Sequence, residues 1–175
     1  IFFLRNKLKQ KVIKIPSGEI NNPLIIDNLN IRHYKLIVST GMASMKEITD
    51  SLNSILKRRL FKIKNNRVKI TNISFLNKIK KRISLLHCVT DYPVQKNFAN
   101  LKCIKTLAEE FKIPVGYSDH TRGVVAPVIA VSLGAQIIEK HFTLSKKMSG
   151  PDHKASLEPK EFSRMVDFIR DFEVM

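Results

Sequence analysis

Short apolar runs alternate with longer segments of helical periodicity along the whole 175-residue chain. The short runs of β-prone residues predict strands at 12–17, 36–39, 83–88, 115–118 and 136–140. Segments in which apolar residues recur three or four positions apart predict helices at 22–30, 43–59, 97–112, 123–133 and 158–172. Ser44 is the predicted N-cap of the second helix, with Glu47 three residues later. The pattern therefore predicts five strand and helix units in alternation.

This alternation favours a parallel sheet covered by helices on both faces, because each predicted strand is a continuous apolar run. A (β/α) barrel and an open doubly wound sheet both fit that description. The sequence contains no GxGxxG motif after any predicted strand, which disfavours a dinucleotide-binding sheet. Polar side chains instead follow strand after strand, and a barrel collects all its strand ends around one mouth. The pattern favours the barrel.

Two of the predicted strands, separated by one helix in segment 114–143, end in His120 and His141. Neighbouring parallel strands lie about 4.8 Å apart, so side chains at their carboxyl ends emerge side by side. Two neutral imidazoles with nearby carboxylate and water oxygens suit a divalent ion such as Mn²⁺, Mg²⁺ or Zn²⁺. Two ordinary strand-end histidines, hydrogen-bonded or solvated, are the alternative. Because side chains alternate along a strand, Asp119 is expected to point away from the face that His120 uses.

Composition places the chain among globular proteins, with 43% hydrophobic residues and mixed charge, long enough for one domain. The longest purely apolar runs contain only a few residues, so no membrane span is predicted. The two cysteines, Cys88 and Cys103, form no disulfide framework. A reducing cytoplasm is therefore the expected location.

The net charge of +16 comes largely from one block, because no acidic residue occurs between Asp50 and Asp91. That interval contains KRR at 57–59 and KIKKR at 78–82, with further lysines between them. Such a block can bind nucleic acid or another polyanion without sequence preference. A solvated basic face is the alternative, in keeping with the many Lys, Ile and Asn residues throughout the chain.

Six motifs carry a resemblance to a known family: KIPSGEI (14–20), STGMAS (39–44), LLHCVTDYP (85–93), GYSDHT (116–121), EKHFT (139–143) and GPDHKASLEP (150–159). Together they resemble the barrel domain of the N-acetylneuraminate (sialic acid) synthase family, which includes legionaminate, pseudaminate and spore-coat polysaccharide synthases. The resemblance implies a (β/α)₈ TIM barrel that condenses phosphoenolpyruvate with an N-acylated hexosamine such as N-acetylmannosamine. The products would be a nine-carbon keto-sugar acid and phosphate. A homodimer is implied for the full-length enzyme, with no nucleic-acid or membrane partner.

The resemblance also assigns roles to individual residues. Those that match catalytic positions are Glu19, Lys14 and Glu139. Those that match substrate-binding positions are Ser17, Ser39, Tyr92, Ser118 and Asp152. His120 and His141 match the family's metal ligands, and the implied metal is Mn²⁺ or Mg²⁺.

These roles agree with the chemistry of the residue types. Lys14 and Ser17 match the phosphate side, where a point charge and hydroxyl donors suit an enol phosphate. Glu19 matches a carboxylate that handles the sugar or water. Tyr92, with Glu139 and Asp152, falls on the acceptor-sugar side. Taken without the family, Lys14 reads equally as a strand-end lysine with a buried stem, and Tyr92 as a packed aromatic before Pro93.

The sequence departs from the family pattern at both ends. It begins at Ile1 in mid-pattern, whereas the family's barrel starts three strands earlier and continues into a small C-terminal antifreeze-like domain. We therefore expect residues 1–175 to form about the last five strand and helix units of the barrel and to be inactive alone. Segment 60–81 is longer and more basic than the family's usual link. A catalytically dead fragment or pseudo-enzyme, and a basic polyanion-binding module, are the two alternative functions.

Overall fold

The structure, a computed structural model, describes residues 7–175. Its strands are β1 (Val12–Ile15), β2 (Lys35–Ser39), β3 (Phe61–Lys64), β4 (Arg67–Ile70), β5 (Ile83–Cys88), β6 (Val115–Asp119) and β7 (Ile138–Lys140). Its α-helices are α1 (Pro23–Ile26), α2 (Met45–Leu56), α3 (Ile73–Ile79), α4 (Cys103–Phe111), α5 (Val125–Ser132) and α6 (Pro159–Val174). The five predicted strands, each followed by a helix, are confirmed, and the fold is α/β.

The chain divides into two compact units. The first comprises the described residues up to Leu85 together with Leu107–Pro114. The second comprises Leu86–Thr106 and Val115–Met175. The chain therefore passes between the units within β5, within α4 and again just before β6.

In the first unit, β1 and β2 pair in parallel, with Val12 opposite Lys35 and Ile15 opposite Val38. Helix α2 begins with the predicted capping box: the Ser44 side chain accepts from the Glu47 amide, and the Glu47 carboxylate accepts from the Ser44 amide. The apolar side chains that α2 buries lie on one stripe: Ile48, Leu52, Ile55 and Leu56. This stripe is the reason the segment folds as a helix on the sheet.

An antiparallel hairpin, β3 and β4, follows α2 and was not predicted. Its turn consists of Asn65 and Asn66, whose φ angles of 51° and 56° are those that a two-residue hairpin turn requires. The Asn53 side chain of α2 accepts from the Phe61 amide at 2.9 Å and donates to the Phe61 carbonyl at 2.8 Å. The Phe61 ring packs edge-on against Phe111 at 5.4 Å. These contacts fix the hairpin on the helices of the first unit.

In the second unit, β6 and β7 pair in parallel, with Tyr117 opposite Ile138 and Asp119 opposite Lys140. Gly116 allows the two strands to approach closely. A Cβ atom at this position would lie 2.4 Å from the Ile137 carbonyl oxygen and 2.6 Å from a Leu86 methyl carbon. Any side chain at position 116 would therefore push β7 away from β6.

Several predicted helices are shorter than their sequence patterns suggest. Segment 22–30 contains a single turn, α1, and the helix predicted at 97–112 begins at Cys103. Asn100 has a positive φ of 47°, which separates a short 3₁₀ turn at Lys96–Phe98 from α4. Within residues 7–175, no helix combines the length and apolarity needed to cross a membrane.

Candidate functional site

One face of the β6 and β7 pair carries four of the predicted site residues. The strand register sets Ser118 opposite Glu139, and His120 and His141 follow two residues later on the same face. The Ser118 hydroxyl donates to Glu139 Oε1 at 2.6 Å. The His120 and His141 rings stand edge to face, with centroids 5.4 Å apart and planes at 88°. The sequence prediction that the two histidines lie side by side is confirmed.

The hydrogen bonds of His120 fix which nitrogen carries its proton. Its Nδ1 lies 2.6 Å from the Val89 carbonyl oxygen, which can only accept, so Nδ1 holds the hydrogen. Burial holds the pKa of His120 below its usual value, although the Val89 bond partly opposes this. The ring is therefore neutral at pH 7, with its lone pair on Nε2. The Ser118 hydroxyl lies 3.4 Å from Nε2, and that hydroxyl donates to the closer Glu139.

Tyr92 lies against both histidines. Its ring centroid is 4.1 Å from that of His120 and 5.6 Å from that of His141. Desolvation, reinforced by nearby acidic groups, raises the pKa of the Tyr92 phenol. The phenol therefore stays protonated and can donate a hydrogen bond at neutral pH. About half of the side chain remains exposed, so the ring both packs on His120 and faces solvent.

Asp152 approaches the site from the loop that precedes α6. Its Oδ2 lies 3.7 Å from His141 Nδ1. The loop is anchored at the aspartate and at the residue that follows it. The Asp152 carbonyl accepts from the Ser156 amide at 3.1 Å and from the Ser156 hydroxyl at 2.8 Å. His153 Nδ1 lies 2.7 Å from the Thr143 hydroxyl. The second unit thus brings together His120, His141, Tyr92, Ser118, Glu139 and Asp152.

The opposite face of the same strands is closed by a buried ion pair. Lys140 Nζ lies 2.6 Å from Asp119 Oδ2, and the two side chains are 1% and 0% exposed. Asp119 Oδ1 accepts from the Tyr117 hydroxyl at 3.1 Å and from the Thr121 amide at 2.8 Å. Lys140 also donates to the Thr121 carbonyl. The prediction that Asp119 points away from the face of His120 is confirmed.

The remaining predicted site residues lie in the first unit, at the ends of β1 and β2. The Ser17 hydroxyl accepts from the Gly41 amide at 3.1 Å, which ties the loop after β1 to the loop after β2. Glu19 Oε2 accepts from the Asn22 side chain at 2.6 Å. Lys14 is an exposed residue of β1, opposite Ile37.

Ser39, the last residue of β2, is the least satisfied of these groups. Its side chain is 1% exposed, and its hydroxyl has no hydrogen-bond partner among the residues that the structure describes. Buried polar groups in proteins are nearly always hydrogen-bonded. An unsatisfied hydroxyl at a strand end is therefore a group that a bound oxyanion could satisfy.

The donor set at His120 and His141 fits a divalent cation. Within residues 7–175, no group of three or more His, Cys, Asp or Glu side chains is arranged to hold an ion. The two imidazoles do offer nitrogen donors, and the His120 lone pair is directed away from its Val89 bond. Such a pair suits an ion that takes its other ligands from water and substrate oxygens.

Sequence reasoning missed the part played by Lys140, Tyr117 and Thr121. The sequence pattern predicts Lys140 only as the last residue of a strand. Its signal was its position between Glu139 and His141, since strict alternation turns it to the opposite face, where Asp119 also points. A lysine on a buried face requires an anionic partner, and Asp119 is the acidic residue in register.

Comparisons with known proteins agree with this architecture. The model of the NeuB family matches residues 1–175. The N,N'-diacetyllegionaminic acid synthase of Campylobacter jejuni is 46% identical over 170 residues, which are 97% of this chain and 46% of that protein.

Two solved structures are similar. The spore coat polysaccharide biosynthesis protein of Bacillus subtilis has a TM-score of 0.80 and 31% identity, covering 98% of this chain and 43% of that one. The N-acetylneuraminic acid (sialic acid) synthetase of Leptospira borgpetersenii, solved with citrate, has a TM-score of 0.74 and 32% identity, covering 94% of this chain and 50% of that one. The chain spans about half the length of the relatives it matches.

Proposed function

The chain belongs to the NeuB family, and we propose that the whole protein condenses phosphoenolpyruvate with an N-acylated hexosamine such as N-acetylmannosamine. The products are a nine-carbon keto-sugar acid of the sialic acid type and phosphate. The names of its relatives, a legionaminic acid synthase and a sialic acid synthetase, support this reaction class. In the same proposal the barrel has eight strands, the full-length enzyme is a homodimer, and residues 1–175 alone do not turn over.

The observation that carries the proposal is the single face formed by His120, His141, Glu139 and Ser118. On it, a neutral nitrogen donor and an anchored carboxylate lie within a few ångströms, next to the half-exposed phenol of Tyr92. Such a combination of a metal-ligating pair, a proton acceptor and a hydrogen-bond donor suits an addition to a carbonyl group.

His120 and His141 are the residues that would hold the divalent ion, Mn²⁺ or Mg²⁺. When bound, such an ion supplies Lewis acidity toward a carbonyl oxygen and orients water. The Val89 carbonyl keeps the His120 proton on Nδ1, so Nε2 is available as a ligand. Asp152 Oδ2 lies 3.7 Å from Nδ1 of His141, so a carboxylate stands beside that ring.

The reaction needs two proton transfers that side chains of this chain can handle. As the methylene carbon of phosphoenolpyruvate bonds to the sugar aldehyde carbon, the aldehyde oxygen gains a proton. Water then adds to the phosphate-bearing carbon and loses one proton. The bond from that carbon to the phosphate oxygen breaks as the keto group forms, and the second proton of the water leaves with the phosphate. We assign proton transfer to Glu139 and Glu19. Tyr92 and Asp152 are assigned to hydrogen bonds with the acceptor sugar.

The phosphate and carboxylate of phosphoenolpyruvate need cationic and hydroxyl donors, which we assign to Lys14, Ser17, Ser39 and Ser118. The unsatisfied hydroxyl of Ser39 supports this assignment, because it ends β2 without a partner among the described residues. A cytoplasmic location is part of the proposal, and the free thiols of Cys88 and Cys103 agree with a reducing compartment.

The test is substitution of each histidine in the full-length protein. His120→Ala and His141→Ala should each weaken Mn²⁺ binding, measured by titration calorimetry, and abolish phosphate release from phosphoenolpyruvate and N-acetylmannosamine. Phosphoenolpyruvate binding should be partly retained. His33→Ala is the matched control, because His33 is an exposed histidine of the first unit. Near-normal turnover of either variant after chelation would overturn the metal assignment.

A second candidate function is polyanion binding by the hairpin. The strand register sets Lys62 opposite Lys69 and Lys64 opposite Arg67, so one face of the hairpin carries four cations. We call these four residues the cationic face. Like charges directly opposite each other destabilise a strand pair unless a counter-charge is present. Glu110 supplies one, since its carboxylate lies 2.5 Å from Arg67 Nε and accepts from the Val68 amide at 2.6 Å.

Only some of the eleven basic side chains between residues 57 and 82 make contacts with other described residues through ion pairs, hydrogen bonds or rings. Four make internal contacts: Lys57 with Asp27, Arg58 with the Phe75 ring, Arg67 with Glu110, and Arg82 with two backbone carbonyls. The other seven side chains contact no described residue through an ion pair, hydrogen bond or ring: Arg59, Lys62, Lys64, Lys69, Lys78, Lys80 and Lys81. Arg59 and Lys62 also line a groove of about 920 Å³ between α2 and the hairpin. This surplus favours an anionic partner for the segment.

A further inference from the structure

We propose that the buried ion pair between Asp119 and Lys140 has a positioning role. It holds the carboxyl ends of β6 and β7 so that His120 and His141 can bind one cation. This inference rests on the proposed function. Asp119 and Lys140 are positioning residues, because they lie on the face opposite the histidines and do not reach the substrates.

The position of the pair in the strand register is the first argument. Asp119 is the residue before His120, Lys140 is the residue before His141, and the two are directly opposite each other. An ion pair between them therefore fixes the register of the two strands one residue before His120 and His141. A slip of either strand by one residue would place its histidine on the face opposite the other histidine.

The second argument is that the pair also clamps the backbone after His120. Thr121 donates its amide to Asp119 Oδ1 at 2.8 Å, and its carbonyl accepts from Lys140. His120 thus lies between Asp119, one member of the pair, and Thr121, which is hydrogen-bonded to both members. The backbone carbonyl of His120 itself accepts from the Val94 amide at 2.9 Å. The histidine backbone is held from three directions.

The third argument is energetic. Burying a lysine and an aspartate costs several kcal/mol of desolvation per ion, and an apolar pair of the same shape is often as stable. A buried ion pair is therefore poor evidence for a stabilising role alone. Both oxygens of Asp119 and at least two hydrogens of Lys140 are bonded, so the pair has a single geometry. Such supporting groups orient metal ligands, and their loss typically lowers metal affinity about 10- to 100-fold.

The experiment separates positioning from folding in the full-length protein. The variants are Asp119→Asn, Lys140→Met and the double variant Asp119→Asn with Lys140→Met. Each single variant leaves one buried partner uncompensated and should melt at a lower temperature. The double variant contains no unpaired charge and should recover most of that loss. All three should bind Mn²⁺ about 10- to 100-fold more weakly than the parent.

Two further variants complete the design. Ile104→Ala is the stability control, because Ile104 is a fully buried residue of the same unit that lies on helix α4 and not on the paired strands. It should lower the melting temperature without changing Mn²⁺ affinity by more than about twofold. Tyr117→Phe removes only one hydrogen bond to Asp119 and should fold, with a smaller loss of Mn²⁺ affinity.

Parental Mn²⁺ affinity in the double variant and in Tyr117→Phe would overturn the positioning role, whether or not the single variants fold. An affinity loss in Ile104→Ala as large as that in the double variant would also overturn it, because any loss of stability would then explain the effect. A parent protein that neither binds Mn²⁺ nor releases phosphate would instead refute the proposed function. The two failures are therefore distinguishable.

Discussion

The Ser118 hydroxyl donates to Glu139 Oε1 at 2.6 Å between β6 and β7, and each of these residues lies two positions before one of the two histidines. Ser118 is buried, so this bond is shielded from water and holds the carboxylate in one orientation. The bond thereby couples a residue assigned to substrate binding with one assigned to proton transfer.

Ser118→Ala should lower kcat about 10- to 100-fold, because a hydrogen bond to a charged group is worth about 1.5–3 kcal/mol. Steady-state kinetics of the full-length enzyme with both substrates would measure it. Ser132→Ala is the control, since the Ser132 hydroxyl donates only to the Ile129 carbonyl on α5. Unchanged kcat in Ser118→Ala would show that Glu139 does not depend on this bond for its function.

Lys14→Ala should raise the KM for phosphoenolpyruvate about 10- to 100-fold, through the loss of a charged hydrogen bond worth about 1.5–3 kcal/mol. The KM for the sugar should change much less. Lys35→Ala is the matched control, because Lys35 is an exposed lysine at the opposite end of the same strand pair. Equal increases for both substrates would indicate a structural role for Lys14.

Much of the fold could be predicted because its strands are short apolar runs with helices between them. The pairing of His120 with His141 followed from one strand, helix, strand unit, since parallel neighbours bring their carboxyl ends together. The capping box at Ser44 was equally readable, because it depends on two residues three positions apart. Features set by local sequence were thus within reach.

The hairpin was missed because its composition concealed its pattern. Residues 61–70 read FKIKNNRVKI, in which apolar and basic residues alternate around two asparagines. That alternation and the Asn65 and Asn66 turn are the signal of a hairpin. The many lysines in this segment led to its interpretation as a basic block and not as a pair of strands. The contacts of Asn53 and Glu110 that fix the hairpin join residues far apart in sequence, and no local pattern reveals them.

His87 should make the stability of the protein depend on pH. Burial holds the pKa of His87 below its usual value of 6.5, although its Nε2 bond to the Ala99 carbonyl partly opposes this. In the unfolded chain the same histidine takes up a proton at about pH 6.5. Below that pH the unfolded state binds more protons than the folded state, so the free energy of unfolding falls as the pH is lowered.

Urea unfolding at pH 7.5 and pH 5.5 would measure this dependence. His87→Gln should lose less stability between the two values than the parent, because glutamine keeps a donor for Ala99 but does not titrate. Some dependence should remain, since burial also lowers the pKa of His120. Equal losses in parent and variant would show that His87 does not contribute.

The cationic face should contribute to the salt dependence of polyanion binding. Changing Lys62, Lys64 and Lys69 to glutamine removes three cations that make no ion pair or side-chain hydrogen bond with a described residue, and leaves Arg67 with Glu110. If each cation neutralises one phosphate, the slope of log affinity against log salt for duplex DNA should fall by about 2–3. Fluorescence anisotropy at several salt concentrations would measure the slope.

The control changes Lys102, Lys105 and Lys160 to glutamine, which alters the net charge equally at exposed positions outside the hairpin. An equal change of slope in both variants would mean that only the overall charge attracts DNA, and that the hairpin provides no particular surface for it.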